Sequence, residues 1–119
     1  MGKPTVYSYE EILPNLLDNG VADGMVFPCV IHNWDNTPRS GKNGLVLHNS
    51  TPEAFRKHLR QALEKVRDLP HEHKIVFLKS WNEWAEGNHL EPDLRFGKSY
   101  LQVLREEVFL NYENPIDRP

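Results

Sequence analysis

Cysteine occurs once in the 119-residue chain, at position 29. A lone thiol excludes an intrachain disulfide framework and suits a reducing, cytoplasmic setting. Cys29 sits among apolar neighbours, which predicts a buried structural thiol rather than a nucleophile. No apolar run approaches the about 18 residues of a membrane span, and no signal peptide opens the chain. Basic residues are not in excess: 14 Lys and Arg stand against 17 Asp and Glu, for a net charge of −3. With no basic run along one face, nucleic acid is not expected as a partner. Repeats and low-complexity tracts are absent. The triplet His89-x-Glu91-x-Asp93 is broken by Pro92 and has mixed spacing, a poor pattern for a metal, so neither metal nor other cofactor is expected. Tryptophan is scarce too, and its three copies, Trp34, Trp81 and Trp84, all lie in the two loops that follow the two best candidate strands.

What is present is concentrated between Lys74 and Asp93. Ile75, Val76, Phe77 and Leu78 form an unbroken apolar run, the pattern of a strand buried on both faces in a helix-covered parallel sheet. Trp81, Asn82, Glu83, Trp84, Glu86, His89 and Glu91 follow within a few residues. Ligands of parallel α/β folds bind at the C-terminal ends of strands, so this order suits a sugar-processing site. Glycosidic chemistry uses two carboxyl groups, one acting on the leaving oxygen and one as base or nucleophile. Glu83 and Glu86 are three apart, a spacing that shares one face only on a helical turn. Trp81 and Trp84 offer flat faces for a sugar ring, and Asn82 can bond a hydroxyl. A second reading stays open from the residues alone. Ser80-x-x-Glu83 is also a capping box, which would make Glu83 a cap, Gly87 a helix stop and the tryptophans core.

The flanking chain reads as alternating helices and strands. Thr5 to Tyr9 is β-prone, and Ser8-x-x-Glu11 predicts a capping box opening a helix with Tyr9, Ile12, Leu13, Leu16 and Leu17 inward. Pro14 predicts a kink or a late start, Asn19-Gly20 a stop, and Asp23-Gly24 a turn. Met25 to Ile31 is the next strand, irregular or at an edge because of Pro28. His32 to Gly44 is a turn-rich loop in which Trp34 could stack a sugar, Asp35 bond its hydroxyls, and Arg39 meet an anionic group or hold Asp35. The plainer alternative makes Asp35 and Asn36 turn formers and Arg39 a solvated charge. Leu45 to Leu47 suggests a short strand. A helix then starts at Ser50 or Thr51 with Pro52, carries Phe55, Leu59, Ala62, Leu63 and Val66 on one stripe, and ends before Pro70. Its charges, Arg56, Lys57, Arg60, Lys65 and Arg67, read as a solvated face. Phe96, Tyr100, Val103, Leu104 and Val108 predict a last helix to about Asn111, then a polar tail over 112–119.

Trp-Asn-Glu-Trp-Ala-Glu-Gly-x-x-Leu-Glu-Pro-Asp, with Gly97 and Tyr100-Leu101 beyond it, resembles the signature of the WbsX-type glycosyltransferases. These are polysaccharide-biosynthesis proteins related to the family 99 glycoside hydrolases, the endo-acting mannosidases and mannanases. A second block, Val26-Phe27-Pro28 through Asn33-Trp34-Asp35-Asn36-Thr37-Pro38-Arg39, matches upstream, and the resemblance runs from about Tyr7 to Leu110. It implies a carbohydrate substrate and a function in lipopolysaccharide or surface polysaccharide biosynthesis. From the hydrolase branch it implies Glu83 as base toward the sugar's own 2-hydroxyl and Glu86 as acid/base at the glycosidic oxygen, through a 1,2-anhydro sugar. Trp34, Asp35, Arg39, Trp81, Asn82, Trp84, His89 and Glu91 become substrate-binding candidates. Ala85 stands where the hydrolases tend to carry His, which favours the transferase side. An endo-acting hydrolase and a non-catalytic, sugar-binding fragment are the alternatives.

The resembling families fold as (β/α)8 barrels, which need about 250 residues, roughly 30 per βα unit. The 119 residues have room for fewer than half the units. The chain therefore reads as an α/β fragment, the C-terminal βα units of such a barrel, forming one partial domain over 1–119. Missing strands would leave a sheet edge that invites self-association.

Overall fold

The computed structural model describes residues 2–17 and 25–112. Strand β1 (Thr5–Ser8) runs directly into helix α1 (Tyr9–Leu16). The Ser8 side chain makes no capping bond, so the predicted box is not formed, and Pro14 sits inside the helix rather than delaying it. Strand β2 (Cys29–Ile31) follows, then helix α2 (Thr37–Ser40), a 3-10 turn (Gly41–Asn43) and strand β3 (Leu45–His48). Helix α3 (Pro52–Val66), a 3-10 turn (His71–His73) and strand β4 (Phe77–Lys79) come next. A hairpin of β5 (Asn82–Glu83) and β6 (Asn88–His89) encloses a 3-10 turn (Trp84–Glu86), and helix α4 (Ser99–Tyr112) completes the order. The expected Asn19-Gly20 stop, the Asp23-Gly24 turn and the tail beyond residue 112 lie outside the described residues.

The result is a mixed α/β domain of short, largely parallel strands. Among the described residues the strands pair as three two-stranded ribbons. β2 and β4 are parallel, with Cys29, Val30 and Ile31 opposite Phe77, Leu78 and Lys79. Parallel neighbours need a crossover, and α3 lies on the connection that supplies it. β1 and β3 form a second parallel ribbon, Thr5 opposite Leu45 through Ser8 opposite His48, a pairing the sequence did not suggest.

Helix α3 forms as its sequence predicts. Of the two candidate caps Thr51 is the one used: its hydroxyl accepts from the Ala54 amide at 3.1 Å, with Pro52 in the first turn. Ser50 instead donates to the Leu47 carbonyl at 3.0 Å. Phe55, Leu59 and Ala62 of the buried stripe meet Val30, Leu90, Tyr100 and Val103 in the main core, and Val66 is buried at the helix end. Truncating a residue as buried as Phe55 costs about 3–5 kcal/mol. A smaller cluster joins Tyr9 and Leu13 of α1 to Leu47 and Ala54, and the Tyr9 hydroxyl donates to the Ile31 carbonyl at 2.7 Å.

Three expectations are corrected here. The face of α3 read as solvated carries Arg56 and Arg60, and both reach Glu107 of α4 at 2.8 Å. Arg56 also meets Glu106 at 2.7 Å. Helical spacing locates a face but cannot say that a carboxylate on another helix will cross it. The run 75–78 is buried on one side only: Leu78 and Val76 turn to the core, whereas Phe77 is 56% exposed. Cys29, the register partner of Phe77, lies exposed rather than buried. Both follow from the same cause. The core lies against one face of the ribbon, while on the other Phe27 meets Phe77 edge-on at 6.2 Å between ring centroids and leaves it largely exposed.

Candidate functional site

The motif begins where β4 ends. The Lys79–Ser80 peptide is cis. The Ser80 hydroxyl donates toward the Asn88 side-chain oxygen at 2.8 Å and accepts from the Glu83 amide at 3.3 Å. Half of the capping box is thus present, but the chain makes a hairpin around a single 3-10 turn rather than a helix. Gly87 closes that turn in the left-handed region, with φ +53°.

Asn88 ties the arrangement together. It is fully buried, and its side-chain amide donates to the Asn33 carbonyl at 2.7 Å and the Lys79 carbonyl at 3.0 Å. The neighbouring His89 amide donates to the Asn33 side-chain oxygen at 3.1 Å. The hairpin is therefore laced to the segment just after β2. A second seam lies one turn away, where the Asp35 amide donates to the Glu86 carbonyl at 2.9 Å. A Cβ on Gly87 would stand 2.9 Å from the Asp35 carbonyl oxygen, so only glycine admits this approach. The loops bearing Trp34 and Trp81–Glu86 accordingly lie side by side, as adjacent parallel strands require.

Glu83 pairs across the hairpin with Asn88. Cross-strand partners share a face, so Glu83 lies on the side of the hairpin that meets the end of β4. Among the described residues, no hydrogen bond or ion pair engages its carboxylate. Glu86 is partly buried and lies 3.5 Å from the guanidinium of Arg39. Arg39 thus holds Glu86 and not Asp35. Asp35 accepts from the Thr37 amide at 2.9 Å and the Thr37 hydroxyl at 2.6 Å, while Asn36 accepts from the Leu45 amide at 2.7 Å. Both residues build the turn, as the plainer alternative had it, and Asp35 keeps one carboxylate oxygen outside those bonds.

The aromatic candidates divide. Trp81 and Trp84 are each about half exposed. His89 stacks on one face of Trp84 at 3.6 Å between ring centroids, and the Trp84 indole donates to Glu91 at 3.0 Å. His89 and Glu91 therefore brace Trp84, which stays about half exposed. The Lys79 ammonium sits 5.1 Å over Trp34. Asp93 takes the far side of His89 at 3.2 Å and accepts from the amides of Arg95 and Phe96. Burial pushes its carboxyl up, but those two amides and His89 together hold it below the usual carboxylate value. Behind the site, burial drives His32 down to about 4. Asn82 is exposed opposite His89 in the hairpin.

Sequence reasoning missed the roles of Asn33 and Asn88 and read Ser80 only as a candidate helix cap. Asparagine in a loop reads as an ordinary turn residue, and nothing local marks Asn88 as fully buried. Among the described residues no group of three or more His, Cys, Asp or Glu could hold a metal ion, and no helix is long and apolar enough to cross a membrane.

The chain belongs to the WbsX glycosyltransferase family, whose description, Glycosyltransferase WbsX, matches residues 2–104. Over 105 residues it is 37% identical to the uncharacterized protein WxcX of Xanthomonas campestris pv. campestris strain B100, covering 87% of this chain and 15% of that protein. WxcX of strain ATCC 33913 gives the same identity and coverage, 37% over 105 residues, 87% of this chain and 15% of the relative. The chain thus spans about 15% of the length of the relatives it matches. No solved structure matches it.

Proposed function

We propose that this chain carries the glycosidic-bond chemistry of a WbsX-type glycosyltransferase acting in surface polysaccharide or lipopolysaccharide biosynthesis. The observation that carries this reading is the docking of the Asn33–Arg39 loop onto the Ser80–Glu91 hairpin. It leaves the Glu83 carboxylate unengaged while Arg39 holds Glu86 at 3.5 Å. The parallel β2–β4 ribbon with its helical crossover supports reading the chain as the last βα units of a (β/α)8 barrel. Its single thiol supports a cytoplasmic setting.

In this mechanism Glu83 takes the proton from the donor sugar's 2-hydroxyl as that oxygen attacks C1. The bond from C1 to the leaving oxygen breaks, and Glu86 supplies that oxygen's proton. The 1,2-anhydro ring then opens when an acceptor hydroxyl attacks C1, giving its proton to Glu86 while Glu83 returns one to O2. The outer face of Trp84 and the exposed Trp81 hold ring faces, and Asn82 meets a hydroxyl. Ala85 between Trp84 and Glu86 favours a sugar acceptor over water.

Product analysis tests the reading. A parent-length protein carrying this segment is incubated with a labelled oligosaccharide and glycosyl donors. Lengthened products are expected. Shortened products would establish an endo-acting hydrolase instead, and an unchanged substrate with measurable binding would leave a sugar-binding module. The isolated chain should show no turnover, because a barrel site collects residues from several strand ends and this chain supplies few.

A further inference from the structure

A cleft opens beside the Ser80–Glu91 hairpin without including the carboxylate pair. Its volume is about 270 Å³, the low end of small-ligand sites, and it is lined by Trp34, His48, Asn49, Asp93, Arg95 and Tyr100 among others. It lies at the C-terminal end of β3, and Asp35 and Gly87 form its border with the hairpin. Neither Glu83 nor Glu86 lines it.

Its hydrogen-bonding capacity is lopsided. The Tyr100 hydroxyl is buried, at 3% residue exposure, and has no hydrogen-bond partner among the described residues. A buried hydroxyl without a partner is costly unless something else completes it. The Arg95 guanidinium lies 4.9 Å over the Phe96 ring and forms no ion pair among the described residues. Both Asp93 oxygens are bonded, and Asp35 has one oxygen in its own turn and one outside it. Against that one oxygen stand the Tyr100 hydroxyl and the several N–H groups of Arg95. The aromatic faces of Trp34 and Phe96 add apolar walls.

Resting on the carbohydrate reading above, we infer that this cleft is a neighbouring subsite for a sugar ring bearing an anionic group, a carboxylate or a phosphate. Arg95 meets the anion, Tyr100 donates to a ring hydroxyl or to the anion, and an aromatic wall receives the ring. Charge-assisted bonds to a guanidinium are about twice as strong as neutral ones, so the anion governs selectivity.

The test is binding to the full 119-residue chain, followed by amide resonances in NMR titrations. The probes are methyl glucuronide, glucose 6-phosphate, neutral methyl glucoside and inorganic phosphate. One of the two anionic sugars should bind at least about tenfold more tightly than the neutral glycoside, and which one identifies the anion. Shifts should centre on His48, Arg95, Phe96 and Tyr100. Arg95→Gln should abolish the preference for the anionic sugar and leave the neutral glycoside unaffected. As Arg95 is exposed, the fold of that variant is checked by its unchanged spectrum elsewhere. Equal binding of charged and neutral sugars would overturn the subsite while leaving the carbohydrate reading standing. So would a preference that survives Arg95→Gln, or shifts confined to Trp81–Glu86. Phosphate binding as tightly as the sugars would make the cleft a plain anion site and overturn it as well. Binding of no sugar would also overturn it, with catalysis then judged separately by turnover at Glu83 and Glu86.

Discussion

Gly87 marks the closest approach of the two tryptophan-bearing loops. Its φ of +53° and the 2.9 Å from its missing Cβ to the Asp35 oxygen act together against any side chain. Gly87→Ala should destabilise the protein by about 1–3 kcal/mol and push the loops apart, measurable by urea unfolding and by loss of amide shifts around Asp35. Asn88→Ala should act through hydrogen bonding instead. It strips partners from the carbonyls of Asn33 and Lys79, at about 1–3 kcal/mol for each buried group left bare. A melt unchanged within error would show that the knot holds nothing. At this scale the sequence was partly legible. Glu83, Glu86 and the tryptophans stood out because their chemistry is unusual after an apolar strand. Gly87 was seen but explained as a helix stop, since a close approach by another loop leaves no local trace. Asn88 was not seen at all.

At the scale of elements, α3 was readable because a Thr-Pro cap and a regular apolar stripe are both local signals. Its attachment to α4 was not. Glu107 is 2% exposed between the guanidinium groups of Arg56 and Arg60. Burial pushes its carboxyl up, yet its bonds to Arg60 and Arg56 outweigh that and hold it below the usual value. Removing one partner of such a set strands buried charge, so Glu107→Ala should cost about 3–5 kcal/mol by denaturant titration. Replacing Glu107 with Leu and Arg56 with Met together should recover much of that loss. The strand ends tell a similar story. An apolar run predicts a strand, but the side it exposes depends on which neighbours pack there, and β4 has one strand neighbour and one helical face.

Across the whole molecule, two histidines set the response to acid. His32 and His58 are fully buried, and burial lowers each from 6.5 to about 4. The Ile31 amide donates to the His58 ring at 3.3 Å, a bond that needs the unprotonated nitrogen. Their folded values lie below the unfolded value, so the unfolded chain binds protons first as pH falls. Stability should be full above about pH 6.5, decline toward pH 4, and level off below as far as these groups go. The loss is at most roughly 3 kcal/mol per histidine. Unfolding midpoints that stay flat from pH 7 to 4.5 would contradict this. The outer face of the β2–β4 ribbon bears Phe77 with Phe27 at its edge, and Met25, Val26 and Ile75 are exposed too. We expect the isolated chain to self-associate there, and Phe77→Glu to shift size-exclusion elution toward the monomer.

In the proposed mechanism Glu83 and Glu86 divide the glycosidic chemistry between them. The most direct measurement is the turnover of a parent-length protein carrying this segment, as wild type, Glu83→Gln and Glu86→Gln, on donors with poor and with activated leaving groups. Each substitution should lower the rate on the poor donor by about 10²–10⁴-fold. With an activated aryl leaving group, which needs no proton, Glu86→Gln should recover most of the rate of the first step and Glu83→Gln should not. Wild-type turnover in both variants would contradict the account.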